Sequence, residues 1–161
     1  MIDGLDKRLI EELQQDGRAV FVDLARKLGV SEGTIRKRLR RLIADKVMKV
    51  VAVPNLPKLG CGFLAMMGIQ VRVHELRKVA DHLVNNHHVC YVSFVTGRYD
   101  LLAIVMTESP EALSRFIEKE ISAIPDILRT ETFISLDILK GEPSLLDTVD
   151  LVKSIELRPR R

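Results

Sequence analysis

Arg36-Lys37-Arg38-Leu39-Arg40-Arg41 packs five cations into six residues. Lys and Arg at that density neutralise phosphates, and near the start of a helix they also donate to base edges in a DNA groove. Gly33 and Thr34 precede them, and Ser31 stands where a helix cap is expected. A second group, Gly97-Arg98-Tyr99-Asp100, sits in a short loop. A glycine there lets backbone N–H groups converge on a carboxylate, and Asp100 offers its own carboxylate to an ammonium group. The same residues also suit an ordinary hairpin turn, and spacing alone leaves both readings open. His74, His82, His87 and His88 fit no metal-ligand spacing, and Cys61 and Cys90 lie far apart in the chain. Glycine-rich nucleotide loops and nucleophile elbows are absent. No metal, cofactor or catalytic residue is therefore expected, and both cysteines are expected in a core or interface.

The cations need a helix to present them on one side. Leu5, Leu9, Ile10 and Leu13 recur at helical spacing, with Asp3 as cap and Gly17 as stop. Phe21, Leu24, Ala25 and Leu28 form a second stripe, which Gly29 ends. A third helix is expected from about 31 to 45, with Ile35, Leu39, Leu42 and Ile43 inward. Two short helices joined through a glycine turn make a helix-turn-helix. Small Ala25 allows close approach, and Ile35 fills the space between the helices. Gly33, Thr34, Arg36, Lys37, Arg40 and Arg41 then face outward. Thr34, Arg36 and Lys37 are the base-edge candidates; Arg40 and Arg41 are placed on phosphates. Arg38 lies nearer the buried flank, where a phosphate contact and an internal ion pair are both open. Ser31 and Gly33 complete the expected DNA-contact set. The β-rich run 47–53, flanked by Lys46 and carrying Lys49, reads as a small strand or wing. Pro54, Asn55, Pro57 and Gly60 mark a linker.

The second half alternates strands and helices. Phe63, Ala65, Met67, Ile69, Val71 and Val73 alternate as in a half-buried strand. Leu76, Val79, Ala80 and Leu83 mark a helix. Residues 89–95 and 101–106 read as two strands around the Gly97 loop. Ser109-Pro110 opens a helix with Leu113, Phe116, Ile117, Ile121 and Ile124 inward. Residues 127–139 read as the last strand, with Leu128, Ile134, Leu136 and Ile138 on one face. The order βαββαβ implies a ferredoxin-like sheet with two helices on one side. Leu64, Met66, Cys90, Phe94, Ile104 and Phe133 are expected on the uncovered face, which implies a dimer through the sheets. The fold class is thus α+β, a winged helix-turn-helix followed by a ferredoxin-like domain. The expected boundaries are 1–53, a linker at 54–61, 62–140, and an extension at 141–161. In that extension Ser144 is read as a helix cap, with a strand on a neighbouring subunit as the other option.

The 161 residues are 47% hydrophobic and 29% charged, enough to bury a core and too apolar for disorder. Aromatics are only 4%, so the core rests on Leu, Ile and Val. No apolar run approaches a membrane span, and the first residues lack a signal core. With only two cysteines, the expected location is the cytoplasm. Residues 1–60 carry a net +5 and residues 61–161 a net −2, so one end suits a polyanion and the other does not.

Taken together, Leu5-Asp6 through Leu13-Gln14-Gln15-Asp16-Gly17-Arg18, Leu24-Ala25-Arg26-Lys27-Leu28-Gly29-Val30-Ser31, Thr34-Ile35, Arg38 to Leu42, and Gly97 to Asp100 carry a resemblance. Over roughly residues 3–140 the chain resembles the Lrp/AsnC, or feast/famine, transcription regulators. The resemblance implies that the first domain binds double-stranded operator DNA. It implies that the second dimerises, assembles towards a tetramer or octamer, and binds a small effector, usually an amino acid. The implied effector site is Gly97, Arg98, Tyr99 and Asp100, with Thr130, Thr132 and Ser135 as polar partners on the last strand. Sirohaem decarboxylases of the haem pathway are similar in both halves, and His87–His88 is the one adjacent pair such an enzyme would use. An architectural DNA protein without effector is a third option. The regulator, not an enzyme, is the expectation.

Overall fold

The computed structural model describes residues 1–141, 146 and 153, divided into two compact units, the first spanning Met1–Ala52 and the second starting at Val53. The expectations for Ser144 and the rest of the extension lie outside the described residues.

In the first unit, Asp3 starts α1 (Gly4–Gln15) through a reciprocal capping box with Asp6. Its apolar stripe buries Leu9 and Leu13. α2 (Phe21–Leu28) buries Leu24, Ala25 and Leu28 and stops at Gly29. Gly29 takes φ +71°, a left-handed conformation that L side chains rarely adopt. The chain reverses there, and the Val30 N–H donates to the Ala25 carbonyl at 3.0 Å. Ser31 then caps α3 (Glu32–Ala44), which buries Ile35 and Leu42. These seven apolar residues form one core, with Leu5, Ile10, Phe21 and Leu39 around it. Residues 47–53 form no strand, so the wing does not appear within one chain. Val50, Val51 and Val53 are exposed there, because a β-rich run without a hydrogen-bonding neighbour has no ladder to join.

In the second unit the strands are β1 (Phe63–Val71), β2 (Val89–Phe94), β3 (Leu101–Thr107) and β4 (Ile127–Ile134). They form one antiparallel sheet in the order β2-β3-β1-β4. α4 (Leu76–Val84) and α5 (Pro110–Phe116) bury Val79, Ala80, Leu83, Leu113 and Phe116 with Ala65, Met67 and Ile69. The ferredoxin-like βαββαβ order is therefore present. α5 continues into a π-helical turn, Ile117–Ile121. Leu56 and Cys61, expected in the linker, pack with Cys90 and Met106 in this unit.

Several details differ from the sequence reading, beginning with Ile43, which is expected inward on the third helix and is exposed. β4 ends at Ile134, and Leu136 and Leu139 are exposed. Phe94 lies on the helix-covered side, beneath the Arg77 guanidinium of α4 at 5.6 Å. A bulge between Val89 and Tyr91 inserts one residue, and that residue resets the alternation along β2. Met66, Tyr91 and Phe133 remain exposed on the uncovered face. Among the described residues, no helix is long and apolar enough to cross a membrane.

Candidate nucleic-acid interface and ligand loop

α3 presents the cations. Ser31 Oγ accepts the Thr34 N–H at 3.2 Å and lies 2.9 Å from the Thr34 hydroxyl. The remaining unpaired N–H groups of the first turn favour an anion beside Gly33 and Thr34. Gly33 is exposed, and a Cβ there would meet nothing nearer than Ser31 Oγ at 3.8 Å. Packing inside the domain therefore does not demand this glycine. Lys37 and Arg40 are exposed, without an ion-pair partner among the described residues. Arg36 pairs with Glu32 at 2.6 Å and lies over the Phe21 ring at 5.2 Å. That pair faces solvent, so a phosphate or base edge can replace it at small cost.

Arg38 and Arg41 are placed differently. Arg38 Nη1 lies 2.8 Å from Asp6 Oδ1 and 2.6 Å from Asp3 Oδ2. Arg41 Nη2 binds Asp6 Oδ2. Of the two options for Arg38, the internal ion pair is the one that forms. Arg41, expected on a phosphate, joins it, because both residues lie on the flank of α3 that meets α1. Asp6 is fully buried. Burial opposes its ionisation, but the Asp3 backbone N–H and the two guanidinium groups outweigh that and hold the carboxyl down at about 2. Hydrogen bonding from Arg38 likewise lowers Asp3. The sequence reading missed Asp6, although the Asp3-x-x-Asp6 spacing of a capping box was visible.

In the second unit the Gly97–Asp100 loop folds back over β1. Gly97 takes φ +122°. The Asp100 N–H donates to the Ile69 carbonyl at 3.0 Å, and the Val71 N–H donates to Asp100 Oδ2 at 2.9 Å. The Gln70 side-chain amide donates to the Arg98 carbonyl at 2.8 Å. The Tyr99 hydroxyl donates to Glu131 on β4, and Arg98 reaches the same carboxylate at 3.0 Å. That Glu131 bond, together with burial, raises the Tyr99 phenol above its ordinary value. Arg98 also lies 5.5 Å over the Tyr99 ring. Asp100, Tyr99 and Arg98 thus form a strap across the open sheet face.

Thr130 and Thr132 do not join that strap. They pair with Ile69 and Met67, both core residues, so their side chains lie on the helix-covered face. Thr130 lines a depression of about 330 Å³ with Ile117, Ile121 and Ile124. Glu131, between the threonines, pairs with Gly68 on the strap side. Ser135 continues the β4 ladder through its N–H to the Leu64 carbonyl at 3.0 Å. Glu131, Gln70 and Gly68 are the strap residues that sequence reasoning missed. Strand alternation was the available signal, since it places Thr130 and Thr132 with Ile134 and Glu131 opposite.

Gly68 makes the strap possible. A Cβ there would stand 2.7 Å from two Tyr99 ring carbons, closer than real contacts allow. Gly68→Ala is expected to lift Tyr99 from β1, break its Glu131 bond and cost about 1–3 kcal/mol. A thermal melt checks the cost, and the tyrosine near-UV signal checks the displaced ring. An unchanged tyrosine signal would show that the ring does not depend on this glycine.

A capped, basic helix behind a glycine turn, followed by a ferredoxin-like domain, defines a two-domain DNA-binding regulator. Residues 2–43 match the AsnC-type helix-turn-helix domain, and residues 64–145 match the Lrp/AsnC ligand binding domain. An uncharacterised HTH-type transcriptional regulator of Pyrococcus furiosus is 33% identical over 141 residues, 87% of this chain and 95% of its own. HTH-type transcriptional regulator FL11 of Pyrococcus abyssi is also 33% identical, covering 89% of this chain and 95% of its own. The structure of Escherichia coli AsnC superposes with TM-score 0.83 at 26% identity, covering 88% of this chain and 96% of that one. A Neisseria meningitidis transcriptional regulator solved as an L-Met complex shares the fold, with TM-score 0.82 at 20% identity over 89% and 96% of the chains. The chain belongs to the Lrp/AsnC family of transcriptional regulators.

Proposed function

We propose that this regulator reads a specific operator sequence, dimerises through its open sheet face, and answers to an amino-acid effector held at the Gly97–Asp100 loop. The observation that carries this reading is the exposed Lys37 and Arg40 pair on the outer face of a capped α3. Two such helices in a dimer suit successive major grooves of a pseudo-palindromic site. The exposed Met66, Tyr91 and Phe133 supply apolar surface for the dimer, and further assembly to a tetramer or octamer lets DNA wrap or bridge. The strap supports the effector role, because it offers exposed Arg98 and half-buried Asp100 at one place. The L-Met complex of the Neisseria protein is in keeping with an amino-acid ligand. The relatives compared carry regulator names, and no observation favours the decarboxylase reading. A cytoplasmic location fits such a protein.

The test is a gel shift on the protein's own upstream DNA at low salt, with and without each amino acid. A shift that one amino acid alters supports the whole reading and names the ligand. A shift indifferent to all of them defeats the effector part, and no shift defeats the DNA part. Lys37→Ala is expected to weaken binding by about 1–3 kcal/mol and to relax base preference. Equal loss on every sequence would instead make Lys37 a phosphate contact.

A further inference from the structure

The five-cation run on α3 is divided by a buried carboxylate. Asp6 shares its two oxygens between Arg38 and Arg41. Asp6 Oδ2 also accepts the Asp3 N–H at 3.0 Å, while the Asp6 N–H donates to Asp3 Oδ1 at 2.9 Å. Asp3 returns to Arg38 with both oxygens, at 2.8 and 2.6 Å. The start of α1 is therefore fastened to the middle and end of α3 by charge-assisted bonds. Such bonds are short and directional, and they add a fixed geometry to the apolar contacts that already pack the three helices. Pulling both arginines away would leave a buried carboxylate uncompensated, a strongly unfavourable state. Arg38 and Arg41 are thus each engaged by a carboxylate of α1, Arg41 with its side chain still 44% exposed, and Lys37, Arg40 and the easily released Arg36 form the outward set.

We propose that Asp6 is a positioning residue for DNA recognition. It holds α3 at one rotation about its axis and withholds two of its five clustered cations from the phosphate backbone. The gain is selectivity. Phosphate contacts add affinity for any duplex, whereas base contacts distinguish one from another. A helix that turned all five cations to phosphates would bind everything more tightly and discriminate less.

This rests on α3 being the DNA-facing helix, and the test separates the two claims. The probes are the duplex that the protein enriches from a random pool and a scramble of the same length. Affinity for each is measured across a salt series. In Asp6→Asn, Arg38 keeps Asp3, while Arg41 loses the negative charge of the one ion-pair partner it has among the described residues. The expected result is tighter binding to the scramble, a salt slope steeper by about one cation, and preference for the enriched duplex reduced about tenfold. A purely structural role predicts instead an equal loss on both duplexes with an unchanged slope, and that result overturns the proposal. Should Asp6→Asn fail to fold by circular dichroism, Arg41→Gln and Arg40→Gln decide. Arg40→Gln is expected to flatten the slope by about one, and Arg41→Gln to leave it unchanged. Flattening in both overturns the withheld role of Arg41 alone. An unchanged slope in Arg40→Gln defeats the placement of α3 on DNA and the proposal with it.

Discussion

Ile35→Ala is expected to melt the first unit at physiological temperature while the second stays folded. Ile35 is 0% exposed and stands where α1, α2 and α3 meet in one core. Truncating such an isoleucine costs about 2–5 kcal/mol, because the transfer energy is lost and a cavity remains. A unit of about fifty residues holds only about 3–5 kcal/mol in its core, so the loss is of the same size as the whole. The residue composition supplies a clean readout. The chain has no Trp, and both tyrosines, Tyr91 and Tyr99, lie in the second unit. The far-UV helical signal should therefore fall while the near-UV tyrosine band holds, and DNA binding should vanish with the helices. Ile35→Val, which removes one methylene, should cost about 0.5–1.5 kcal/mol and keep DNA binding. If Ile35→Ala loses less than about 1 kcal/mol, the helices close around the smaller side chain and the turn does not depend on it.

The helix-turn-helix was legible because every signal in it is local. As helix caps and stops, Asp3, Ser31 and Gly29 bond within four residues of themselves, and the apolar stripes repeat within one helix. The sheet was legible in its order and less so in its detail. One inserted residue at the β2 bulge sent Phe94 to the helix side, and no alternation rule locates a bulge. Residues 47–53 have strand composition, yet a strand exists only with a neighbour to bond, and composition cannot supply one. At the candidate sites, residue type was informative and commitment was not. Five cations were visible in α3. That two of them answer to Asp6, about thirty residues earlier, follows only from how the helices pack. In β4, Thr130 and Thr132 drew attention as hydroxyls, whereas Glu131 holds the strap.

Asp100→Asn is expected to keep the fold and DNA binding and to weaken the effector roughly ten- to a hundredfold. The choice of Asn follows from the hydrogen bonds. Asp100 Oδ2 already accepts the Val71 N–H at 2.9 Å, beside the register shift between Gln70 and Val71. An asparagine oxygen can keep that bond, so the turn survives, while the negative charge is gone. An ammonium at Asp100 would make a charge-assisted hydrogen bond worth about 1.5–3 kcal/mol, which sets the expected loss. Asp100→Ala mixes two effects. It removes the charge and also strands the Val71 N–H, a part-buried donor whose orphaning costs about 1–3 kcal/mol by itself. Comparing the two variants separates the roles. Weak effector binding in both, with lost stability in Ala alone, assigns the carboxylate to the ligand and its oxygen to the turn. Unchanged effector affinity in Asp100→Asn, measured by calorimetry with the amino acid that alters the gel shift, confines Asp100 to the turn. The effector would then have to be sought elsewhere in the domain, beginning with the depression beside Thr130 on the opposite sheet face.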